Sequence, residues 1–377
     1  MPLDDRSINS RGVVAAYTPG RHDHASEHER ISLVEFARRL ATLRGDDFGG
    51  WYEPSRPYPG HVYFVPICTL TGEEAAALGI HGPDDLFGGV VPHAFVATKA
   101  ISHPLVAADA AALTGWNPAF GARVGDAVLD GYTAFTPDDA RLAGLRLLAN
   151  GPLRIKPVRA TGGHGQSVAR DPAEFQRLLD GMDPGEVILH GLVLEEDLSE
   201  VNTFSIGQVK VADLTASYFG IQGLTRNNQG EEVFGGSDLT VVRGDMDALL
   251  ALEPARAVRR AVELARRYDA AVHACYAGFF ASRKNYDIVV GRDAAGRPRS
   301  GVLEQSWRVG GATGPELAAL EVFRREPGRQ RVRAAGVEIY GDSAPPPPHA
   351  IVHFHGTDPH VGRLTKYTVV EPDVHTR

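Results

Sequence analysis

Residues 286–314, YDIVVGRDAAGRPRSGVLEQSWRVGGATG, contain two apolar runs with a polar turn between them. The first run spans residues 286–290, the second spans residues 301–309, and residues 292–298 between them include glycine and proline. Apolar runs on both sides of such a turn are typical of two antiparallel strands. The sequence therefore predicts a β-hairpin here.

Asp287 and Glu304 are brought together by the geometry of this hairpin. If the turn is centred between Ala295 and Gly296, the two carboxylates lie opposite each other on adjacent strands. Opposed side chains in an antiparallel pair are about 5 Å apart at Cβ, where two like charges repel. A cation removes the repulsion, and oxygen ligands from protein and phosphate together are the usual arrangement for Mg²⁺. The pair therefore predicts a divalent-metal site.

The second strand and the loop after it add further polar groups on the same side. Strand alternation places Ser306 and Arg308 on the face of Glu304. The glycine-rich residues 310–314 then lead into a helix with Pro315 in its first turn, which leaves backbone N–H groups for an anion. A solvated hairpin with a polar outer face is the alternative interpretation. The glycine loop favours a functional site.

The composition is that of a globular protein, because 43% of the 377 residues are hydrophobic and 23% are charged, and the length allows two or three domains. The net charge of −8 argues against a general nucleic-acid or anionic-membrane surface. No apolar run reaches the ~18 residues of a membrane span. The only cysteines, Cys68 and Cys275, lie in apolar runs, which predicts buried free thiols without a nucleophilic role. We therefore expect a soluble, cytoplasmic protein without nucleic-acid or membrane partners.

The first part of the chain alternates strand-like and helical segments. Residues 1–95 predict a small β-α-β-α unit with a parallel sheet, in which Thr71 opens the second helix with a capping box. Helices are then predicted at residues 109–114 and after Thr136, which is followed by proline. By its spacing alone, Lys99 is predicted to be an ordinary surface lysine.

A strand-loop-strand segment follows at residues 153–169. The first strand contains Lys156, and residues 160–166 form a glycine-rich loop that returns directly into a second strand. This layout excludes the Walker and Rossmann motifs, in which the glycines lead into a helix. A glycine flap between strands can fold over a nucleotide, with its N–H groups and Lys156 on the phosphates. The alternative is a hairpin loop that needs glycine only for its turn.

Residues 187–197, VILHGLVLEED, predict an apolar strand that ends at Glu195, Glu196 and Asp197. The end of a buried strand offers backbone hydrogen bonds beside an apolar surface, which is what an adenine ring requires. The segment is therefore a candidate site for the base of a nucleotide.

The end of the chain contains a proline spacer at residues 344–348 and a predicted terminal hairpin. Strand alternation places His353 and His355 on one face, and with His360 they could form a zinc site. Histidine-rich tails are more often merely polar. A metal site is therefore the less favoured interpretation of this segment.

In this order the segments resemble the ATP-grasp superfamily over most of the chain. The resemblance implies an α/β (α+β) fold, in which a small domain precedes two α+β subdomains that clamp ATP between their sheets. The implied domains are residues 1–95 and 96–343, the second with a flap subdomain at about 150–197 and a metal-binding subdomain at about 198–330. Residues 344–377 form the spacer and hairpin.

The same resemblance implies roles for individual residues. Lys99 and Lys156 face the nucleotide phosphates, and Lys156 also contributes to catalysis. The EQSWR segment matches the E-x-N-x-R pattern of biotin carboxylase and the amino-acid ligases, except that Ser306 stands where the family has asparagine. Arg308 is then the catalytic residue that meets the substrate carboxylate. The other implied positions are the flap glycines Gly162, Gly163 and Gly165, the adenine hinge Glu195, Glu196, Asp197 and Leu198, and the metal ligands Asp287, Glu304 and Ser306.

The implied activity is that of an ATP-dependent ligase. ATP and one or two Mg²⁺ ions, with Mn²⁺ as the alternative metal, would serve to activate a small-molecule carboxylate as an acyl phosphate for attack by an amine. The R-x-G-G run that starts at Arg308 is more similar to the carboxylate-amine ligases than to biotin carboxylase. A biotin-carboxylase-like enzyme that uses bicarbonate, an ATP-grasp kinase and a non-catalytic ATP-binding protein remain alternatives. Assembly into a homodimer is also left open.

Overall fold

The computed structural model describes residues 11–20, 26–159, 165–342 and 345–371. Within these residues the strands form one eight-stranded sheet, one four-stranded sheet and two three-stranded sheets. Helices are interspersed with the strands along the described chain. The predicted α/β (α+β) class is therefore confirmed.

The N-terminal sheet is parallel, as the sequence predicts. Its elements are β1 (Val13–Tyr17), α1 (Glu27–Arg44), β2 (Asp47–Trp51) and β3 (Val62–Pro66), and β1 pairs in parallel with both β2 and β3. Helix α1 ends at Gly45, whose φ of 75° lies in the left-handed region that glycine adopts without strain. The sequence analysis missed β2, because DFGGW contains two glycines and little apolar alternation.

A second small sheet follows directly. Strands β4 (Leu70–Thr71) and β5 (Gly89–Val91) pair in parallel, and α2 (Gly72–Ala77) lies between them in sequence. Thr71 Oγ1 accepts a hydrogen bond from the Glu74 N–H, and the Glu74 carboxylate accepts one from the Thr71 N–H. The predicted capping box is therefore confirmed.

The helix predicted at residues 109–114 is wrong, because these residues form turns and irregular backbone. A helix begins later, at α3 (Pro118–Val124), where Asn117 caps the first turn by accepting a hydrogen bond from the Ala119 N–H. Asparagine followed by proline is a stronger start signal than the short polar segment before it. Helix α4 (Pro137–Leu148) begins after Thr136, as predicted.

The four-stranded sheet contains the strand-loop-strand segment. Its strands are β6 (Gly131–Ala134), β7 (Leu153–Pro157), β8 (Ser167–Ala169) and β9 (Leu192–Glu196), in the antiparallel order β6-β9-β7-β8. Strands β7 and β8 pair directly with each other, so the predicted layout around Lys156 is confirmed.

The strand predicted at residues 187–197 starts only at β9. Helix α5 (Pro172–Asp180) precedes a second short helix, α6 (Pro184–His190), which contains the first part of the predicted strand. Asp183 caps α6 by accepting a hydrogen bond from the Gly185 N–H, and Gly191 ends it with a φ of 90°. The cap and the proline at the first position outweigh the apolar character of the residues between them.

The eight-stranded sheet is the centre of the molecule. The remaining strands are β10 (Ser199–Val211), β11 (Leu214–Arg226), β12 (Glu232–Arg243), β13 (Phe280–Ala281), β14 (Arg283–Arg292), β15 (Pro298–Ser306), β16 (Arg331–Tyr340), β17 (Ile351–Asp358) and β18 (Gly362–Val370). Strand β13 pairs with β5, and the others form one antiparallel sheet in the order β15-β14-β10-β11-β12-β16-β18-β17. The predicted hairpins β14–β15 and β17–β18 are therefore both present.

Helices cover both faces of this sheet. The described chain contains α7 (Met246–Ala251) and α8 (Arg256–Cys275), and α8 packs with Tyr286 of β14 in one hydrophobic core. Helix α9 (Thr313–Arg325) packs with α1 in a second core on the opposite face. Among the described residues, no helix is long and apolar enough to cross a membrane. The core around α8 includes Tyr286 and Ile288 of β14 and Val302 of β15, so packing on this face holds the two strands in place.

Candidate active site

A β-bulge brings the predicted carboxylate pair into register. Asp287 pairs with Glu304, as predicted, whereas the next residue, Ile288, pairs with Val302, so Leu303 is an extra residue on β15. Without the bulge, the register of the hairpin tip would place Leu303 opposite Asp287. The predicted pair is confirmed, although the turn is not centred where the sequence analysis placed it.

The Asp287 carboxylate lies in surroundings that disfavour its charge. Burial raises its pKa and the facing Glu304 raises it further, to about 6, against hydrogen bonds from Gln222, Asn285 and Ser205 that lower it. The Asn285 Nδ2 donates to Asp287 Oδ1 at 2.9 Å. A cation between the two carboxylates would relieve this repulsion. The oxygen donors therefore fit a hard divalent cation such as Mg²⁺.

Ser306 lies directly opposite Asn285 across the same hairpin. An asparagine amide therefore lies beside the position at which the family pattern has asparagine. The sequence analysis missed Asn285, although the pairing rule that it applied to Asp287 and Glu304 would have found it. Its place on the neighbouring strand hides it from a search for a linear motif.

Lys99 is not the surface lysine that its spacing suggests, because it is only 6% exposed. It lies in a single-turn 3₁₀ helix, Lys99–Ser102, and its Nζ is 3.2 Å from Glu304 Oε2. The Gln305 amide Nε2 donates to the carbonyl oxygens of Val96 and Thr98, at 2.9 and 2.8 Å. Glu304 therefore contacts Lys99 directly, while Gln305, on the other face of β15, holds the backbone just before Lys99.

Lys156 lies in β7 and forms a buried ion pair with Glu195 of β9. The Glu195 Oε2 is 3.1 Å from His103 Nε2, a residue that the sequence analysis did not single out. Burial raises the pKa of Glu195, but Lys156 and His103 outweigh it and lower the pKa to about 2. Glu195 is therefore an anion that holds Lys156 in place.

The side chains of the two following acids are also engaged by arginines. Glu196 Oε1 accepts hydrogen bonds from Arg299 at 2.9 and 2.6 Å, and Asp197 Oδ1 accepts one from Arg154 at 2.7 Å. Leu198 is buried at the point where β9 continues into β10. The Glu196 and Asp197 N–H groups also donate, to the carbonyl oxygens of Asp130 and Pro152 at 2.8 and 2.9 Å, so the role of this segment as an adenine hinge stays a prediction.

Arg283 fixes the backbone on both sides of Trp307. Its Nη1 donates to the carbonyl oxygens of Ser306 and Arg308, at 3.1 and 2.7 Å. Arg283 is 1% exposed and forms an ion pair at 2.8 Å with Glu316 of α9, which is fully buried. The sequence analysis missed this pair, because 33 residues separate its members. The pair holds the segment that carries Ser306 and Arg308.

One cavity of about 370 Å³ brings together six of the predicted residues. Its walls include Lys99, Lys156, Asp287, Glu304, Ser306 and Arg308. A second cavity of about 730 Å³ also contacts Lys99, Glu304, Ser306 and Arg308, and extends towards Cys68, Arg159 and His190. Residues 195–198 are not among the described residues that line either one. The two cavities therefore share the residues around Arg308.

Not all flap glycines can be placed. Gly162 and Gly163 lie outside the described residues, whereas Gly165 is described and has a φ of 68°. Gln166, directly after it, lines the first cavity. The start of the returning strand is therefore close to Lys156, and the role of the glycines stays a prediction.

The tail histidines do not share one face. A bulge between Val352 and Phe354 breaks the alternation of β17, so that His353 is buried and bonded to Thr368 while His355 is exposed. The described residues contain no group of three or more His, Cys, Asp or Glu side chains that could hold a metal. The shared face proposed for these histidines is therefore wrong.

The two cysteines are free thiols, as predicted. Cys68 is buried, and Cys275 is partly buried. Burial raises the pKa of Cys275, which favours the unreactive thiol over the thiolate.

Residues 16–368 match a family described as "Protein of unknown function (DUF3182)". The chain belongs to this family. Among curated protein sequences, no significant match is found. The description of the family names no activity.

Solved structures are similar to this member of the family over nearly its whole length. One is N5-carboxyaminoimidazole synthetase from Staphylococcus aureus complexed with ADP, with a TM-score of 0.52 at 10% identity over 96% of this chain and 94% of that one. A second is phosphoribosylamine–glycine ligase from Thermotoga maritima, with a TM-score of 0.50 at 16% identity over 95% of this chain and 92% of that one. A third is the biotin carboxylase domain of Hydrogenobacter thermophilus 2-oxoglutarate carboxylase, with a TM-score of 0.50 at 12% identity over 96% of this chain and 87% of that one. The protein therefore has the predicted ATP-grasp fold.

Proposed function

We propose that the protein is an ATP- and Mg²⁺-dependent ligase that activates a small-molecule carboxylate as an acyl phosphate and transfers the acyl group to an amine. The observation that carries this proposal is the first cavity, where two buried lysines, two opposed carboxylates and Arg308 face one space. The similar structures support it, because the Staphylococcus aureus enzyme is complexed with ADP and the Hydrogenobacter thermophilus domain with MgADP and bicarbonate.

Lys99 and Lys156 would bind the ATP phosphates. Each is buried and paired with a carboxylate, Lys99 with Glu304 and Lys156 with Glu195. A phosphate oxygen offers Lys99 a charge-assisted hydrogen bond of the same kind, which would release Glu304 for a metal ion. The flap glycines would cover the phosphates, and the backbone at Leu198 would lie beside the adenine ring.

Asp287, Glu304 and Ser306 would hold the Mg²⁺ ion, and the Asn285 amide nitrogen would orient the Asp287 carboxylate. The raised pKa of Asp287 supports this, because the two carboxylates repel each other across the hairpin. Mn²⁺ would accept the same oxygen ligands. A bound ion supplies positive charge to the phosphates.

The chemistry requires positioning more than covalent help from the protein. A carboxylate oxygen of the substrate attacks the γ-phosphorus, the bond from the γ-phosphorus to the bridging oxygen breaks, and ADP leaves. The amine nitrogen then attacks the acyl carbon, the bond to phosphate breaks, and the departing phosphate takes the amine proton. Arg308 would orient the carboxylate through two parallel hydrogen bonds.

ADP release, measured over pairs of small carboxylates and amines, tests this function directly. We expect release that requires both substrates of one pair, and an amide product by mass spectrometry. Release with bicarbonate and biotin alone would identify a carboxylase, and a phosphorylated product would identify a kinase. ATP binding without ADP release in any combination would favour the non-catalytic alternative.

The Lys156→Ala variant tests the nucleotide site separately. Loss of one charge-assisted hydrogen bond of roughly 1.5–3 kcal/mol should weaken ATP binding about 10- to 150-fold by calorimetry. Lys210→Ala is the matched control, because Lys210 forms an exposed ion pair with Asp84 at 2.9 Å, outside the site. The double variant Lys156→Ala/Glu195→Gln also removes the negative charge of Glu195, which the single variant would leave buried without its lysine. Unchanged ATP affinity in the folded Lys156→Ala variant and in the folded double variant would contradict the assignment.

A further inference from the structure

A third cavity, of about 160 Å³, lies on the far side of the loop that follows Arg308. Arg308 and three glycines of the loop contribute one wall, helix α1 contributes Ser32, and the C-terminal hairpin contributes His353 and Lys366. The three glycines are Gly310, Gly311 and Gly314. Arg308 also lines the two larger cavities. The third cavity is therefore one side chain away from the site of acyl transfer.

Two polar side chains in its wall have atoms with no hydrogen-bond partner among the described residues. These atoms are Ser32 Oγ and His353 Nδ1, in side chains that are 4% and 6% exposed. Buried polar atoms in folded proteins are nearly always hydrogen-bonded, and each exception calls for an explanation. Both residues line the cavity, so a polar molecule bound there is a candidate partner for these atoms.

The charges around the cavity have both signs. Glu29 and Glu338 supply two carboxylates, while Lys366 and Arg308 supply two cations. Lys366 Nζ is 2.9 Å from Glu338 Oε1, so cation and anion stand side by side. Helix α9 adds the positive end of its dipole at the glycine loop. A ligand with both an ammonium and a carboxylate group matches this wall better than one with a single charge.

The size of the cavity limits the ligand. At roughly 30 Å³ for each water molecule, 160 Å³ corresponds to about five waters, which is the volume of a small amino acid. Gly314 packs directly against two side chains of the wall, because a Cβ there would lie 2.6 Å from His353 Nε2 and would clash with Thr368 Oγ1. A larger residue at Gly314 would displace these two side chains and change the shape of the cavity.

We propose that this cavity binds the amine substrate, and that this substrate is a small amino acid. The inference rests on the ligase function proposed above and names its nucleophile. Lys366 and the glycine loop receive the carboxylate, and the acidic and unpartnered groups receive the amino group. In its neutral form the amino nitrogen bonds to the acyl carbon, the carbon–oxygen bond to phosphate breaks, and the phosphate takes the proton.

Calorimetry on the full chain, with glycine, L-alanine, L-serine and β-alanine as probes, tests the site without turnover. We expect saturable binding of at least one of them. Acetate and methylamine, which each carry one of the two charges of glycine, should bind at least about tenfold more weakly. Equal binding of acetate would show a plain anion site, and no binding of any probe would show a cavity that holds only water. Either outcome overturns the proposal.

Two substitutions locate the binding. Ser32→Ala removes one unpartnered hydroxyl and should weaken binding of the amino acid about tenfold, and Gly314→Ala should abolish it. Ser217→Ala is the matched control, because Ser217 is equally buried but its hydroxyl is bonded to Gly244. If Gly314→Ala does not fold, Ser32→Ala and Lys366→Met decide the test. Binding that all of these variants retain would overturn the proposal.

ATP affinity, measured in the same proteins, separates this inference from the function on which it rests. If ATP binds through Lys156 but no amino acid binds, the cavity assignment fails alone. If an amino acid binds at the cavity but ATP does not bind, the proposed ligase function fails, and with it the role of the amino acid as nucleophile.

Discussion

Two of the charged residues of strand β14, Arg283 and Asp287, have opposite surroundings. Arg283 is fully buried, and it meets Glu316 together with the carbonyl oxygens of the loop after β15. Asp287 instead faces a second carboxylate, Glu304, and burial with this repulsion raises its pKa to about 6. The first cluster is balanced by the protein itself. In the second, Lys99 pairs with Glu304, but the described residues supply no cation for Asp287, so one negative charge is left unbalanced.

The difference separates scaffold from site. A balanced buried ion pair fixes the backbone, and breaking it leaves a charge without a partner. An unbalanced pair that faces a cavity costs stability, and such strain is tolerated where a ligand relieves it. Tyr218 connects the two clusters, because its hydroxyl bonds to both Glu316 and Asn285. The scaffold therefore supports the site directly.

The largest effect is expected for Arg283→Met. This change leaves Glu316 buried without its cation and should lower the free energy of unfolding by about 3–5 kcal/mol. Arg39→Met is the matched control, because Arg39 also pairs with a glutamate of α9, Glu321, which is 27% exposed. Urea denaturation measures both. Equal losses of unfolding free energy in the two variants would show that the buried Arg283–Glu316 pair stabilises the fold no more than the partly exposed Arg39–Glu321 pair.

The next largest effect is expected for Arg308→Lys. The carbonyl oxygen of Arg308 accepts a hydrogen bond from Arg283 in the balanced cluster, while Arg308 itself lines the cavities. Lysine keeps the charge but cannot form two parallel hydrogen bonds with a carboxylate. Ligase turnover should fall by about 10²-fold with unchanged ATP affinity. Steady-state kinetics and ATP calorimetry measure the two effects. A loss of ATP affinity as large as that in Lys156→Ala would assign Arg308 to the nucleotide instead.

The smallest effect concerns the unbalanced pair and depends on pH. The pKa of Asp287 is raised in the folded protein from 3.8 to about 6, so the folded state holds the proton more tightly and stability falls as the pH rises from about 4 to 6. Asp287→Asn should remove this loss, which is on the order of 2 kcal/mol. Thermal melts across this pH range, with and without Mg²⁺, measure it.

Two comparisons sharpen this last prediction. Asp238→Asn, which breaks an exposed pair with Arg333, should leave the pH dependence unchanged. Added Mg²⁺ should stabilise the wild type at pH 7 more than Asp287→Asn. The metal site is refuted if Mg²⁺ stabilises both proteins equally.

Local patterns in the sequence predicted one of the two clusters and not the other. Turn residues and strand alternation placed Asp287 opposite Glu304, and the bulge at Leu303 preserved the pairing although the turn was misplaced. Arg283 and Glu316 meet only because β14 and α9 pack together, and no local pattern encodes that contact. His103, beside Glu195, was missed for the same reason, since 92 residues separate the two.

The prediction errors at secondary-structure boundaries have a different cause. Residues 187–190 are apolar, like a strand, yet they continue the helix that starts after Asp183. Residues 109–114 were predicted as a helix although a stronger start signal lies at Asn117. Capping chemistry at one residue decided both cases against the general character of the segment.

A contact between residues far apart in the sequence, His28 of helix α1 and Asp358 of strand β17, has a consequence for folding. The His28 N–H donates to Asp358 across 330 residues, and β18 supplies both the partner of β16 and a wall of the third cavity. Contacts of such high sequence separation form late, because the loop that they close is long. During synthesis we therefore expect the first cavity, proposed for ATP, to assemble before the third. The third cavity, proposed for the amino acid, can close only after β18 has left the ribosome.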